Sequence, residues 1–179
     1  MSKKEILLGV TASIASYKSC DIIRALKEEG LEVTVIMSED AKEFITPLSL
    51  AALSRNKVYS QMFADPGAWD IEHISLADKA DLVLIAPATA NIINKIACGI
   101  CDDLLSCAVL ATKAPILLAP AMNTNMYENK ITQENIAKLK KIGYKFIGPE
   151  KGKLATGKIG LGRLAAVEDI VKEVKKILR

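Results

Sequence analysis

The sequence is short of the residue types on which several large functional classes depend. It has a single histidine and four cysteines, of which only Cys98 and Cys101 form a C-x-x-C pair. A four-ligand zinc site needs a second pair or more imidazoles, so no metal is expected. One tryptophan, four tyrosines and three phenylalanines leave an aliphatic core and no aromatic platform for stacking bases. A net charge of +3, with lysines scattered over predicted helix faces, argues against a nucleic-acid partner. No apolar run reaches the about 18 residues of a membrane helix, and the two N-terminal lysines precede no apolar stretch with a cleavage site. The expectation is a soluble, cytoplasmic protein with no membrane partner. In a reducing compartment the cysteines read as small core residues, Cys98 and Cys101 lying inside the helix-like run INKIACGICDDLL. Phosphate-binding signatures are missing too. GVTASIAS offers only Gly9, which makes neither G-x-G-x-x-G nor a Walker A loop.

What the sequence does have is alternation. EILLGV (5–10), LEVTVIM (31–37), DLVLIAPA (81–88), PILLAPA (115–121) and YKFIG (144–148) read as strands. Between them lie helical patterns: one over 14–30 stopped by Gly30, two over 39–44 and 47–55, and a short one over 73–80. Two more cross 90–112, one covers 131–143, and an amphipathic one closes the chain over 167–179. Residues 56–70, with Pro66-Gly67, read as irregular surface, and PEKGKLATGKIGLGRLA (149–165) as a glycine-rich loop. Continuous apolar strands alternating with helices predict a doubly wound α/β fold. It would have five or so parallel strands and helices on both faces, a Rossmann- or flavodoxin-like domain spanning 1–179.

In such folds ligands bind beyond the carboxyl ends of the strands. Those ends carry Thr11, Ser13 and Ser16 after the first strand, Ser38 after the second, and Thr89 and Asn91 in APATAN after the third. Hydroxyls beside helix-opening amides suit a phosphate monoester, although each could equally be an ordinary helix cap. No acid sits at the tip of the second strand to hold a ribose diol, which favours a mononucleotide over a dinucleotide. Hydroxyls and amides without Lys or Arg at the strand ends suit a neutral ring system bearing one phosphate, such as flavin mononucleotide (FMN). The fourth strand ends in ILLAPAMNTNMYEN, where two methionines and three asparagines precede any charge. That pattern reads either as a turn with methionine core filler or as amides holding a polar group in a methionine-lined pocket. His73, at the start of a short helix, is a candidate proton acceptor, though a lone histidine is more often structural.

The sequence resembles the homo-oligomeric flavin-containing cysteine decarboxylases over essentially its whole length. The resemblance is carried by GVTASIASYK, HIS at 73–75, PATANIINKIACGICDDLL, PAMNTNMY and LATGKIGLGR. PAMNTNMY is the most specific, matching Pro-x-Met-Asn-x-x-Met with Tyr127 after it. The resemblance is above all to the branch serving coenzyme A synthesis, which converts 4'-phosphopantothenoylcysteine to 4'-phosphopantetheine and is often fused to a ligase half. It implies FMN bound at a subunit contact of a trimer, four trimers forming a dodecamer. It implies an FMN site with Ser13, Ser38, Thr89 and Asn91, together with Gly9, Thr11, Ile14 and Ala90. It implies a substrate site with Met122, Asn123, Met126, Gly157 and Arg163, and catalytic roles for His73 and Asn123. The implied chemistry oxidises the substrate cysteine to a thioaldehyde, so that carbon dioxide leaves to give an enethiol that is then reduced. Asn123 would orient the carboxylate, and a neutral amide there avoids stabilising its ground state.

One position departs from the family. Thr156 stands where the coenzyme A branch carries a cysteine that donates a proton in the last reduction. A hydroxyl is a far weaker acid than a thiol of pKa about 8.5. The alternatives are therefore a decarboxylase that halts at the enethiol, as family members acting on peptidyl C-terminal cysteines do, and an FMN-binding regulatory protein without turnover. Flavin prenyl transfer is disfavoured by the Pro-x-Met-Asn pattern. The glycines at 152, 157, 160 and 162 suggest a mobile flap over the substrate.

Overall fold

A computed structural model describes residues 3–62 and 71–179, so the predicted Pro66-Gly67 turn lies outside the described residues. Six strands form one parallel sheet: β1 (Glu5–Val10), β2 (Glu32–Met37), β3 (Val58–Tyr59), β4 (Leu82–Ala88), β5 (Ile116–Pro120) and β6 (Lys145–Phe146). Their order is β3-β2-β1-β4-β5-β6, so the winding reverses between β1 and β4. That reversal opens a crevice at the carboxyl ends of β1 and β4.

Period-two alternation divides each strand between two cores. Ile6, Leu8 and Val10 of β1 face Ile22, Ile23 and Leu26 of α1 (Ser19–Glu28) and Ile170 and Val174 of α8 (Val167–Ile177). Leu7 faces the other way, toward α4 (Ala90–Cys98) and α5 (Leu104–Ala111). Each such fully buried Leu or Ile contributes roughly 1.5–3 kcal/mol of transfer free energy. The remaining helices are α2 (Pro47–Ser54), α3 (Glu72–Lys79), α6 (Thr124–Glu128) and α7 (Lys130–Lys141). Thr46 caps α2 by accepting from the Ser49 amide, with Pro47 in the first turn as expected.

The structure departs from the sequence reading in five places. The helix expected over 14–30 is a 3-10 turn (Ile14–Lys18) followed by α1. Ser16 Oγ donates back to the carbonyls of Thr11 and Ser13, tightening the first turn, and Ser19 Oγ ties the start of α1 to the Ala86 carbonyl. The irregular stretch contains β3, whose two residues pair with β2 and are too few for a visible period. The sheet therefore has six strands rather than five. The short helix α6 was not foreseen.

The glycine-rich loop is the fourth departure: it is an antiparallel hairpin of β7 (Glu150–Lys153) and β8 (Ile159–Arg163). Its turn closes with Gly157 N–H on the Leu154 carbonyl at 2.9 Å and Leu154 N–H on the Lys158 carbonyl at 2.8 Å. Gly157 has φ 80°, so this is a three-residue hairpin loop with glycine in the left-handed position.

The cysteines are the fifth. Cys98 and Cys101 are exposed, whereas Cys20 packs half-buried against the core and Cys107 is buried. Gly99, left-handed at φ 70°, ends α4 directly after Cys98 and turns the C-x-x-C out of the helix. Burial, then its neighbour Cys101, pushes the Cys107 thiol up to about 12.

Candidate functional site

A cavity of about 1190 Å³ opens at the carboxyl ends of β1, β2, β4 and β5 and is bounded on its outer side by the hairpin. That volume exceeds a typical single-ligand pocket and has room for a cofactor and a substrate together.

The strand-end wall is held by its own polar groups. Thr11 is buried, and its hydroxyl donates to the Pro87 carbonyl at 2.7 Å while accepting from Thr89 N–H at 3.1 Å. This knot joins the ends of β1 and β4 across the crevice. Ser13 caps the 3-10 turn by accepting from the Ala15 amide, and Thr89 caps α4 by accepting from the Ile92 amide. The capping and the ligand readings of these hydroxyls thus meet in the same residues. Ser38 is different: its hydroxyl is buried at the cavity wall without a hydrogen-bond partner among the described residues. A buried hydroxyl left unpaired costs about 1–3 kcal/mol, which a polar ligand group would offset. Ala12, Ala15, Ala90 and Ala121 also line the cavity and let a flat ligand approach the backbone.

Beyond β5, Met122, Asn123 and Met126 line the cavity, answering the puzzle of that amide-rich strand end. Asn123 Oδ1 accepts from the Asn125 amide at 2.8 Å and so caps α6. With its oxygen engaged, the carboxamide is left with its NH₂ as the free group, a neutral donor suited to a carboxylate.

Of the other predicted site residues, Ile14, Asn91, Thr156 and Arg163 line the cavity. Gly157 shapes the turn beside Thr156 without lining it. Gly9 is elsewhere: a Cβ there would stand 2.8 Å from Leu105 Cδ1, so this glycine admits α5 against β1. His73 lies on α3, half-buried, and is not among the residues lining the cavity of its own chain.

The cavity is also more charged than its strand ends indicated. Lys18, Lys95, Lys153 and Arg163 line it, reaching in from helices and the hairpin rather than from strand ends. Lys95 is neutralised by Asp102 and Asp103 at 2.7 and 2.9 Å, and Arg163 lies 3.7 Å from Glu150. Lys18 and Lys153 have no hydrogen-bond or ion-pair partner among the described residues. Asp103 caps α5 through the Ser106 amide. Burial raises its carboxyl, but the Ser106 amide and Lys95 more than offset this and hold it below the usual carboxylate range. Sequence reasoning passed over this pair, although Asp103 followed three residues later by Ser106 is a readable helix-start signal.

A family described as Flavoprotein matches residues 1–179. The chain belongs to that family. Among curated relatives of the flavoprotein, a probable phosphopantothenoylcysteine decarboxylase of Streptococcus mutans is 46% identical over 177 residues, 98% of this chain and 99% of that protein. The coenzyme A biosynthesis bifunctional protein CoaBC of Bacillus subtilis is 46% identical over 176 residues, 98% of this chain but only 43% of its own length. The flavoprotein therefore spans less than half of that bifunctional relative. Among solved structures, a cysteine-to-serine mutant of PPC decarboxylase complexed with pantothenoylaminoethenethiol superposes with a TM-score of 0.88 at 32% identity, covering 98% of each chain. The FMN-binding protein AtHal3 superposes with a TM-score of 0.82 at 32% identity, covering 98% of this chain and 96% of that one.

Proposed function

We propose that the flavoprotein binds FMN in the strand-end cavity and decarboxylates 4'-phosphopantothenoylcysteine. The observation that carries the reading is Asn123, whose oxygen is committed to the Asn125 amide so that its NH₂ remains for a substrate carboxylate. The cofactor fits the residues present: Ser38 offers a buried unpaired hydroxyl, Ser13 retains its hydroxyl proton, and the alanines leave room for a flat ring. Thr89 and Asn91 would border that ring, and Thr11 would hold the crevice at the right width. Bound there, FMN supplies a hydride acceptor.

The chain's own residues then have distinct tasks. Asn123 orients the carboxylate without adding a positive charge that would oppose its departure as carbon dioxide. Met122 and Met126 flank it with apolar surface. The unpartnered Lys18 and Lys153 suit ligands that carry phosphate. His73, absent from the cavity of its own chain, takes the proton of the substrate thiol from a neighbouring copy, so the active form is a homo-oligomer. The resemblance to trimeric and dodecameric decarboxylases supports this, and the bifunctional relatives support a ligase half, fused or separate, that supplies the substrate.

A second reading is favoured by Thr156. With a hydroxyl in place of a thiol at the hairpin tip, the reaction on the same substrate stops at the enethiol. One experiment decides between them: the holoprotein is mixed anaerobically with phosphopantothenoylcysteine while flavin absorbance and product mass are followed. Complete decarboxylation gives a product lighter by carbon dioxide with the flavin reoxidised. The halted reaction bleaches the flavin once and gives a product two hydrogens lighter still, and Thr156→Cys then restores reoxidation. No spectral or mass change overturns both readings. Mixing His73→Asn with Asn123→Asp chains tests the shared site, since co-assembled chains recover activity that neither variant has alone.

A further inference from the structure

The hairpin meets the segment carrying Asn123 through glycine, and the contact is too close for any side chain. A Cβ at Gly160 would stand 2.2 Å from Thr124 Oγ1, and one at Gly162 would stand 2.1 Å from the Met122 carbonyl oxygen. Met122 N–H donates to the Gly162 carbonyl at 3.0 Å, so the two segments are also hydrogen-bonded. Gly162 has φ 149°, a backbone need of its own, but Gly160 has no positive φ and is required only by space. Its neighbour is unusual as well. Thr124 directly follows Asn123, and its hydroxyl is buried under the hairpin with no hydrogen-bond partner among the described residues. Capping does not explain that hydroxyl, because Asn123 caps α6.

We infer that Gly160 and Thr124 form a steric spacer that sets the distance between the hairpin and the Asn123 carboxamide, and so how tightly the substrate is gripped between them. They are positioning residues, since neither touches the reacting atoms. The inference rests on the reading of Asn123 as the carboxylate-holding residue. Both sides of the spacer carry cavity-lining groups, Lys153 and Thr156 on the hairpin and Asn123 on the loop, so a change of spacing changes the width of the site.

The test uses the holoprotein and four variants: Gly160→Ala, Thr124→Ala, the double variant, and Gly152→Ala as control. A Cβ at Gly152 meets only the flexible Arg163 side chain, at 2.9 Å, so the control perturbs the hairpin without moving the spacer. Hydrogen exchange is read at the Met122 amide, which reports docking, and at the Asn125 amide, which reports the Asn123 carboxamide. Gly160→Ala speeds exchange at both by about tenfold, Thr124→Ala, which removes the other half of the spacer, speeds it by about threefold, the double variant returns both to the wild-type rate, and Gly152→Ala leaves them unchanged. Unchanged Asn125 exchange in Gly160→Ala, or no recovery in the double variant, overturns the inference. In the same proteins, KM for phosphopantothenoylcysteine rises about tenfold in Gly160→Ala with kcat within about twofold, and recovers in the double variant. A wild type that does not turn over this substrate overturns the functional reading, while the exchange pattern still decides the spacer.

Discussion

The two walls of the cavity are built on opposite principles. At the strand ends, the hydroxyls other than that of Ser38 satisfy the backbone and one another: Thr11 bridges β1 and β4, and Ser13, Ser16 and Thr89 close helix starts. On the outer wall, the hairpin meets the Asn123 segment through glycine contacts and one backbone bond to Met122, while Lys153 has no partner among the described residues. The first wall is fixed before any ligand arrives. The second keeps its polar groups in reserve. A fixed wall suits a resident cofactor, and a wall with unspent charge suits a substrate that comes and goes.

The comparison is broken most sharply at Asn123, which sits where the two walls meet. On the proposed reading, Asn123→Asp replaces the free NH₂ with a carboxylate facing that of phosphopantothenoylcysteine, so kcat/KM falls about a thousandfold while flavin content and thermal stability stay close to wild type. Steady-state kinetics beside the visible flavin spectrum measure both. At Thr11 the expectation reverses. Thr11→Val strips a buried carbonyl and a half-buried amide of their partner, so the fold loses about 2 kcal/mol and the purified protein loses colour. Denaturant unfolding and the flavin-to-protein ratio check it; full colour with unchanged stability would show that the strand-end wall is not held by this knot.

The smallest effect concerns Asp103. Because its carboxyl is held below the usual range in the folded state, it contributes stability above its unfolded value, near pH 4, and loses it as pH falls through the lower folded value. Asp103→Asn keeps an oxygen for the Ser106 amide but removes the titration. The stability of the variant therefore falls less steeply below pH 4, as acid unfolding monitored by circular dichroism would show.

The fold was legible because β1, β4 and β5 are apolar on both faces, a pattern that a covered parallel sheet explains. β3 has two residues, and no period can be read from two residues, whereas the equally short β6 falls within the predicted strand YKFIG. The hairpin escaped because its strands carry glycine and lysine where alternating apolar residues would announce a strand; its identity lies in the turn closed by Gly157. Within the site, Ser13, Ser38, Thr89 and Asn123 were readable as polar residues at apolar strand ends. Lys18, Lys95 and Lys153 were not, because a long side chain joins a cavity through the tertiary path of its stem, which local sequence does not encode. Gly9 was misplaced for a related reason: a glycine beside a ligand and one beside a packed leucine look alike in sequence.

The hairpin's two feet have a further consequence. Glu150 begins β7, and its Oε1 accepts the amide of Ala166, the residue that opens α8, at 2.9 Å. One carboxylate thus closes everything between 150 and 166 into a loop whose ends are pinned together, outside the six-stranded sheet. Such a loop is an exchangeable part. Swapped as a unit for the equivalent segment of a related protein, it would carry its own lysine, tip residue and glycine spacing to a sheet that need not change.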